Sequence, residues 1–346
     1  MENTAEKKLD TYTADELASI RCKRLHYTVD TLLHPGLAVL AGSPKIGKSW
    51  LVMQLCMKIA AGEPFWGLPT QGGSVLYIAL EDSLQRLQQR LLRITADPPE
   101  KMHFSVNCSY LEGALESELA AFVHDHPDTR LIVIDTFQKI RTPGVQLSYS
   151  NDYTEAGAVK RIADALGICI LLVHHTRKMG DSDAVNEISG TNGIAGCADT
   201  LMVLKKEKRS DRKALLTCTG RDIEDREMEI TLDRTTCLWK LQRDSFIKEN
   251  TREMPALLYQ LAEFIRNVEH FDGTNAELQK ALSAYCGQEL NISAVKQAMN
   301  RYRYQLEDCG VSFMEMRTNS ERRVIAVYAA SHDLRLADES EGCYEA

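Results

Sequence analysis

The sequence predicts an α/β fold: a mostly parallel sheet covered by helices, with a small C-terminal α+β unit. Three observations carry this. Between residues 31 and 242, apolar runs of strand length alternate with stretches of helical periodicity, the pattern of a sheet buried on both faces. Polar residues suited to chemistry follow several of those runs directly, where a parallel sheet gathers its ligand contacts. From about residue 250 the pattern changes to amphipathic helices and then two strands.

The chain has 346 residues, 44% hydrophobic and 26% charged, which suits a globular protein of about two domains. Its net charge of −8 excludes a generally basic surface, so any nucleic-acid contact must be a local patch or a pore lining. No apolar run reaches the roughly 18 residues that span a bilayer. The first residues, Met1 to Lys8, lack the apolar region of a signal peptide. The expectation is a cytoplasmic protein with no membrane partner. Ten cysteines contain no C-x-x-C pair, and Cys56, Cys169 and Cys218 fall in apolar runs, so they read as reduced core residues.

Taken in order, residues 1–30 are polar, with one short capped helix at Thr13 to Ile20 that could dock on a neighbouring subunit. Leu37 to Ala41 reads as a buried strand. Gly42, Ser43, Pro44, Lys45, Ile46, Gly47, Lys48 and Ser49 follow, fitting the G-x-x-x-x-G-K-[ST] phosphate loop. Beyond Trp50, the helical spacing of Leu51, Leu55 and Ile59 completes the strand–loop–helix context. Gly42 and Gly47 permit backbone geometry that turns amides toward an anion, and the helix N-terminus adds a favourable dipole. Lys48 suits the β- and γ-phosphates, and the Ser49 hydroxyl suits Mg²⁺. ATP and Mg²⁺ are therefore the expected cofactors.

Ser74 to Leu80 is the next strand, ending in Glu81-Asp82, and an amphipathic helix from Leu84 runs to Pro98-Pro99. Leu115 to His124 reads as a helix. Leu131 to Thr136 is an apolar strand whose end carries the acid Asp135, a Walker B pattern whose carboxylate holds the metal's hydration shell. Arg141 to Asp152 reads as a loop and Glu155 to Leu166 as a helix. Ile168 to Val173 is a strand ending in His174-His175, and Arg177 to Glu187 is polar. Thr200 to Leu204 and Ala214 to Thr219 read as a hairpin closed by Gly220-Arg221-Asp222, with edge strands at Met228 to Leu232 and Leu238 to Leu241.

In the C-terminal part, Met254 to Val268 is an amphipathic helix. Thr274 and Glu277 make a capping box for a second, and Ile292 starts a third carrying Lys296, Arg301 and Arg303. Val311 to Met316 and Val324 to Tyr328 form a hairpin. Three helices and a hairpin make a winged-helix pattern, and residues 291–330 carry six Lys/Arg against four Asp/Glu. The expected domains are an N-terminal segment at 1–30, a nucleotide-binding domain at 31–242, a winged-helix-like domain at 250–330 and an acidic disordered tail at 331–346.

Gly36 to Leu55, Val75 to Arg93, Leu131 to Arg141, Ile170 to Lys178, Ser189 to Leu204 and Thr219 to Asp222 together resemble the RepA-like AAA-type ATPases. These have a RecA-like core and occur on plasmids, phages and integrated elements. The resemblance implies an α/β RecA-like P-loop ATPase core and a hexameric, ATP-driven DNA helicase. It makes Gly42 to Ser49 the Walker A loop, Glu81 the residue that polarises the attacking water, and Asp135 the Walker B acid. His174 or His175 becomes the γ-phosphate sensor, and Arg221 a finger reaching the neighbour's ATP. The expected partners are a homo-oligomer and single-stranded DNA. The loops Arg141 to Asp152 and Arg177 to Ile188 would face its pore, and Lys296, Arg301 and Arg303 could grip duplex. A loader or regulator of other DNA-processing proteins is the competing reading.

Overall fold

The structure is a computed structural model that describes residues 11–20, 26–141, 149–176, 193–208, 210–246, 254–317 and 322–329. Contacts divide the chain into two compact units, residues 25–248 and residues 1–24 with 249–346.

In chain order the elements begin with α1 (Ala14–Ser19), which belongs to the smaller unit. The larger unit opens with β1 (Gly36–Gly42) and α2 (Lys48–Ala61), then β2 (Val75–Ala79), α3 (Leu84–Ile94) and β3 (Met102–Ser105). There follow α4 (Leu115–Asp125), β4 (Leu131–Asp135), the single turn α5 (Phe137–Ile140), α6 (Tyr149–Leu166), β5 (Cys169–His175) and α7 (Gly193–Cys197). Four strands end the unit: β6 (Thr200–Lys205), β7 (Lys213–Gly220), β8 (Arg226–Leu232) and β9 (Trp239–Asp244).

These strands form one nine-stranded sheet in the order β3-β2-β4-β5-β1-β6-β7-β8-β9. The stretch from β3 to β6 is parallel, and β7 to β9 continue it antiparallel. The α/β expectation therefore holds, including the hairpins that finish the unit. The reason for the parallel part is visible in burial: β1, β2 and β4 are buried at every position, so both faces must be covered by crossover helices.

Alternation divides the strands between two cores. Leu40, Tyr77, Ala79, Val133, Leu171 and Val173 pack on one face with α2 and Trp239 of β9. Val39, Ile78, Ile134, Leu172 and Val203 pack on the other with α4, α6 and α7. The thiols of Cys169 and Cys218 lie fully inside, and burial pushes both up to about 12. No helix of the described residues is long and apolar enough to cross a membrane.

One local reading changes. The stretch from Arg141 to Asp152 is not wholly a loop, because α6 begins at Tyr149. Arg141 is buried, its guanidinium paired with Asp152 at 2.7 Å and with Glu155 on the first turns of α6. The pore-loop expectations otherwise fall on residues 142–148 and 177–188, outside the described residues.

The smaller unit contains α1, α8 (Ala256–Val268), β10 (His270–Thr274), α9 (Asn275–Cys286), α10 (Ile292–Arg301), α11 (Arg303–Asp308), β11 (Val311–Arg317) and β12 (Arg322–Tyr328). Its sheet runs β10-β12-β11, all antiparallel, over a core of Leu258, Leu261, Ile265, Leu278, Val295 and Leu306. The capping box at Thr274 and Glu277 forms as the sequence indicates. The strand β10 does not stand out in the sequence. Its residues, His-Phe-Asp-Gly-Thr, are mixed and it is held by pairing to β12. The acidic tail at 331–346 lies outside the described residues.

Candidate active site

The site sits at the carboxyl ends of the parallel strands. Gly42 ends β1 beside His175 of β5 and Leu204 of β6. A Cβ at Gly42 would lie 2.7 Å from the Leu204 carbonyl oxygen, so the loop can leave the strand only from a glycine. Gly47 has φ 109° and caps the start of α2. Between them Ser43, Pro44 and Lys45 are exposed and Ile46 is buried beneath.

Lys48, at the first position of α2, is 5% exposed. Its ammonium donates to the carbonyl oxygens of Gly42 (2.7 Å) and Ser43 (3.1 Å) and contacts His175 Nδ1 at 3.1 Å. An ammonium has no lone pair, so Nδ1 of His175 must be the acceptor and its proton sits on Nε2. Burial pulls Lys48 down to about 8 against the attraction of Asp135 and Glu81. Burial and the Lys48 charge likewise lower His175, which fits the neutral ring its contact requires.

Ser49 donates its hydroxyl to Asp135 Oδ2 at 3.0 Å, and Tyr77 donates to the same oxygen at 2.8 Å. Burial raises the Asp135 carboxyl, while these two hydrogen bonds hold it down. Glu81 lies at the rim, accepting from the Thr136 hydroxyl at 3.3 Å, with His175 Nε2 at 3.9 Å. Asp82 faces a different set of partners, Arg86 at 2.8 Å and Arg90. Arg90 in turn lies 5.6 Å from the centre of the Trp50 ring.

Strand alternation separates the two histidines. His175 continues the face of Leu171 and Val173, which carries α2. His174 continues the face of Ile170 and Leu172 and meets Phe137 edge-on at 6.4 Å. Arg221 is not brought to its own Lys48. It follows β7, whose end pairs with Thr200 and, through it, with Ala38, four residues back along β1 from Gly42. That is about 13 Å along a strand. There Arg221 is largely exposed, 3.7 Å from Asp199 and 3.3 Å from the Gly196 carbonyl oxygen. Lys296 and Arg303 are turned to internal partners: Lys296 pairs with Glu315 at 2.7 Å, and Arg303 donates to the Phe313 carbonyl oxygen at 3.0 Å.

Residues 2–181, just over half of the chain, match the family described as the AAA domain. The chain belongs to that AAA domain family. The DNA repair protein RadA of Streptococcus pneumoniae is 27% identical over 191 residues, 54% of this chain and 40% of that protein. RadA of Bacillus subtilis is 25% identical over 206 residues, 56% of this chain and 38% of its own length. The chain thus spans about two fifths of the curated relatives it matches. Among solved structures, one ATPase domain superposes with a TM-score of 0.50 at 11% identity, covering 60% of this chain and 85% of that domain. With the sheet order above, this establishes a RecA-like P-loop ATPase fold.

The cradle fits a nucleoside triphosphate with a divalent metal. A positive-φ glycine closes the loop against α2, a desolvated ammonium donates to two carbonyls and a neutral ring, and a serine hydroxyl and a carboxylate already meet. Gly42 to Ser49 would hold the phosphates, and Ser49 with Asp135 the metal. Such a metal supplies charge neutralisation between the phosphates. Tyr77, Thr136 and Trp239 were missed by motif reading. Tyr77 was within reach, since it shares a face of β2 with Ala79, two residues before the strand gives way to Glu81.

Proposed function

We propose that this chain is an ATP-hydrolysing, ring-forming motor that moves along or unwinds DNA in the replication of a plasmid, phage or integrated element, as the RepA-like resemblance suggests. The observation carrying the hydrolytic part is the grouping of Lys48, Ser49, Asp135, Glu81 and His175 on one face of the sheet. In it Lys48 binds phosphate, Ser49 and Asp135 hold Mg²⁺, and Glu81 orients water. His175 relays the presence of the γ-phosphate, because phosphate and the His175 ring compete for one ammonium.

Arg221 is the finger for a neighbouring copy. Its place at the far end of β1 and its exposure support a partner site rather than its own. The ring is taken as a hexamer with single-stranded DNA in its pore, by analogy with the helicases of the family.

A second reading, a loader or regulator, draws support from the smaller unit. From α8 on, its helix–strand–helix–helix–helix–strand–strand order suits a winged helix, yet Lys296 and Arg303 are engaged internally. That favours a protein partner over a phosphate footprint for this unit. Unwinding of a forked duplex, with particle mass measured in ATP, separates the two. Strand separation by a ring supports the motor. ATP hydrolysis without unwinding and indifferent to single-stranded DNA at low salt would leave the loader reading.

A further inference from the structure

We infer that Trp239, on β9, is the positioning residue of the phosphate cradle. The inference rests on the nucleotide-binding reading above and adds to it a residue that no motif contains. The Trp239 indole N–H donates to the Gly47 carbonyl oxygen at 3.1 Å, across 192 residues of sequence. The same carbonyl accepts the Leu51 amide at 3.1 Å, so two donors fix its direction.

A trans peptide is planar, with its C=O and N–H pointing in opposite directions. Holding the Gly47 oxygen toward Trp239 and α2 therefore aims the Lys48 amide the other way, out of the helix N-terminus and into the loop. That amide is one of the free N–H groups that bind phosphate.

Gly47 needs such a support. At φ 109° it occupies a region that glycine visits freely, so nothing intrinsic to the residue holds it there. Packing sets one side, because a Cβ on Gly47 would lie 2.8 Å from Trp239 Cζ2. The indole is itself immobilised. It is fully buried, and its backbone N–H and C=O are both bound by the Gln54 side chain at 2.8 and 3.0 Å. The Trp66 indole donates to the same Trp239 carbonyl at 2.8 Å. Lys206, just past β6, stands 5.1 Å over the Trp239 ring. The antiparallel extension of the sheet is thus tied to the loop that binds nucleotide.

The test compares Trp239→Phe with wild type for affinity toward a fluorescent ADP analogue with Mg²⁺. The variant keeps an aromatic ring and loses the donor. We expect the dissociation constant to rise about three- to tenfold, the worth of one hydrogen bond. A purely structural tryptophan would lower the melting temperature of the nucleotide-free protein and leave affinity unchanged, and that result overturns the inference. A second measurement needs no variant fold. With 5-fluorotryptophan at the three tryptophans, the ¹⁹F resonance of Trp239 must move on adding Mg-ADP. A resonance unmoved at saturation also overturns it. Wild-type protein that takes up no Mg-ADP would instead refute the nucleotide reading itself.

Discussion

Replacing Tyr77 by Phe removes one hydroxyl and almost no volume from the floor of the site. That hydroxyl is buried and donates at 2.8 Å to the Asp135 oxygen that also receives Ser49. A hydrogen bond to an ionised group contributes about 1.5–3 kcal/mol. The loss should depend on pH, and its sign follows from the carboxyl. Burial already raises Asp135 above its ordinary value, and the Tyr77 bond is the largest influence holding it down. A carboxyl with a raised folded pKa contributes stability below its unfolded pKa and loses it as pH rises through the folded value. Without Tyr77 the folded value rises further, so the variant suffers more when Asp135 must ionise. We expect a loss of about 2 kcal/mol in urea unfolding at pH 7.5 and about 1 kcal/mol or less near pH 4. The Mg²⁺ concentration for half-maximal ATP hydrolysis should rise in parallel. Equal losses at both pH values, or less than about 0.5 kcal/mol at pH 7.5, would refute the reasoning.

Other outcomes follow from the same geometry. Glu81→Gln should bind nucleotide normally and lose hydrolysis by about 100-fold or more, seen as trapped ATP in single turnover; unchanged turnover would remove Glu81 from the chemistry. His175→Ala should disturb nucleotide-dependent activity, whereas His174→Ala should cost stability alone; the reverse pattern would contradict the strand-face assignment. Lys48, held near 8 by burial, should take up a proton when phosphate binds above that pH, read as buffer-dependent binding heat in calorimetry; zero uptake at pH 9 would show that Lys48 is already charged. Arg221→Ala and Lys48→Ala proteins, each inactive, should regain ATPase activity when mixed, because the two defects lie at opposite ends of β1; no recovery at any ratio speaks against a finger in trans.

Much of this was legible in the chain. Parallel strands announced themselves as unbroken apolar runs, and the loop from Gly42 to Ser49 by its spacing. Counting by twos along the strands also separates His175 from His174, since 171, 173 and 175 share a face, as do 131, 133 and 135. The rest depends on contacts that sequence distance hides. Trp239 reads as an edge-strand aromatic until the fold lays it against Gly47. Arg141 reads as a polar loop residue because its neutralising partners, Asp152 and Glu155, come from the next helix. β10 has little strand character of its own and exists because β12 offers it an edge.

The opposed ends of β1 also bear on how copies can assemble. The phosphate cradle opens at one end, and Arg221 rests at the other on a 3.7 Å contact with Asp199 that is partly exposed and cheap to release. Asp199 loses little by that release, because Lys160 at 2.7 Å and the Leu37 amide at 3.0 Å still hold it. If each arginine completes a neighbour's cradle, the donating and receiving surfaces of one subunit are different patches. Such a heterologous contact repeats in one direction and is resolved by closing into a cycle or by growing as a filament. The handedness of traffic around that cycle would then be written into the direction of a single strand.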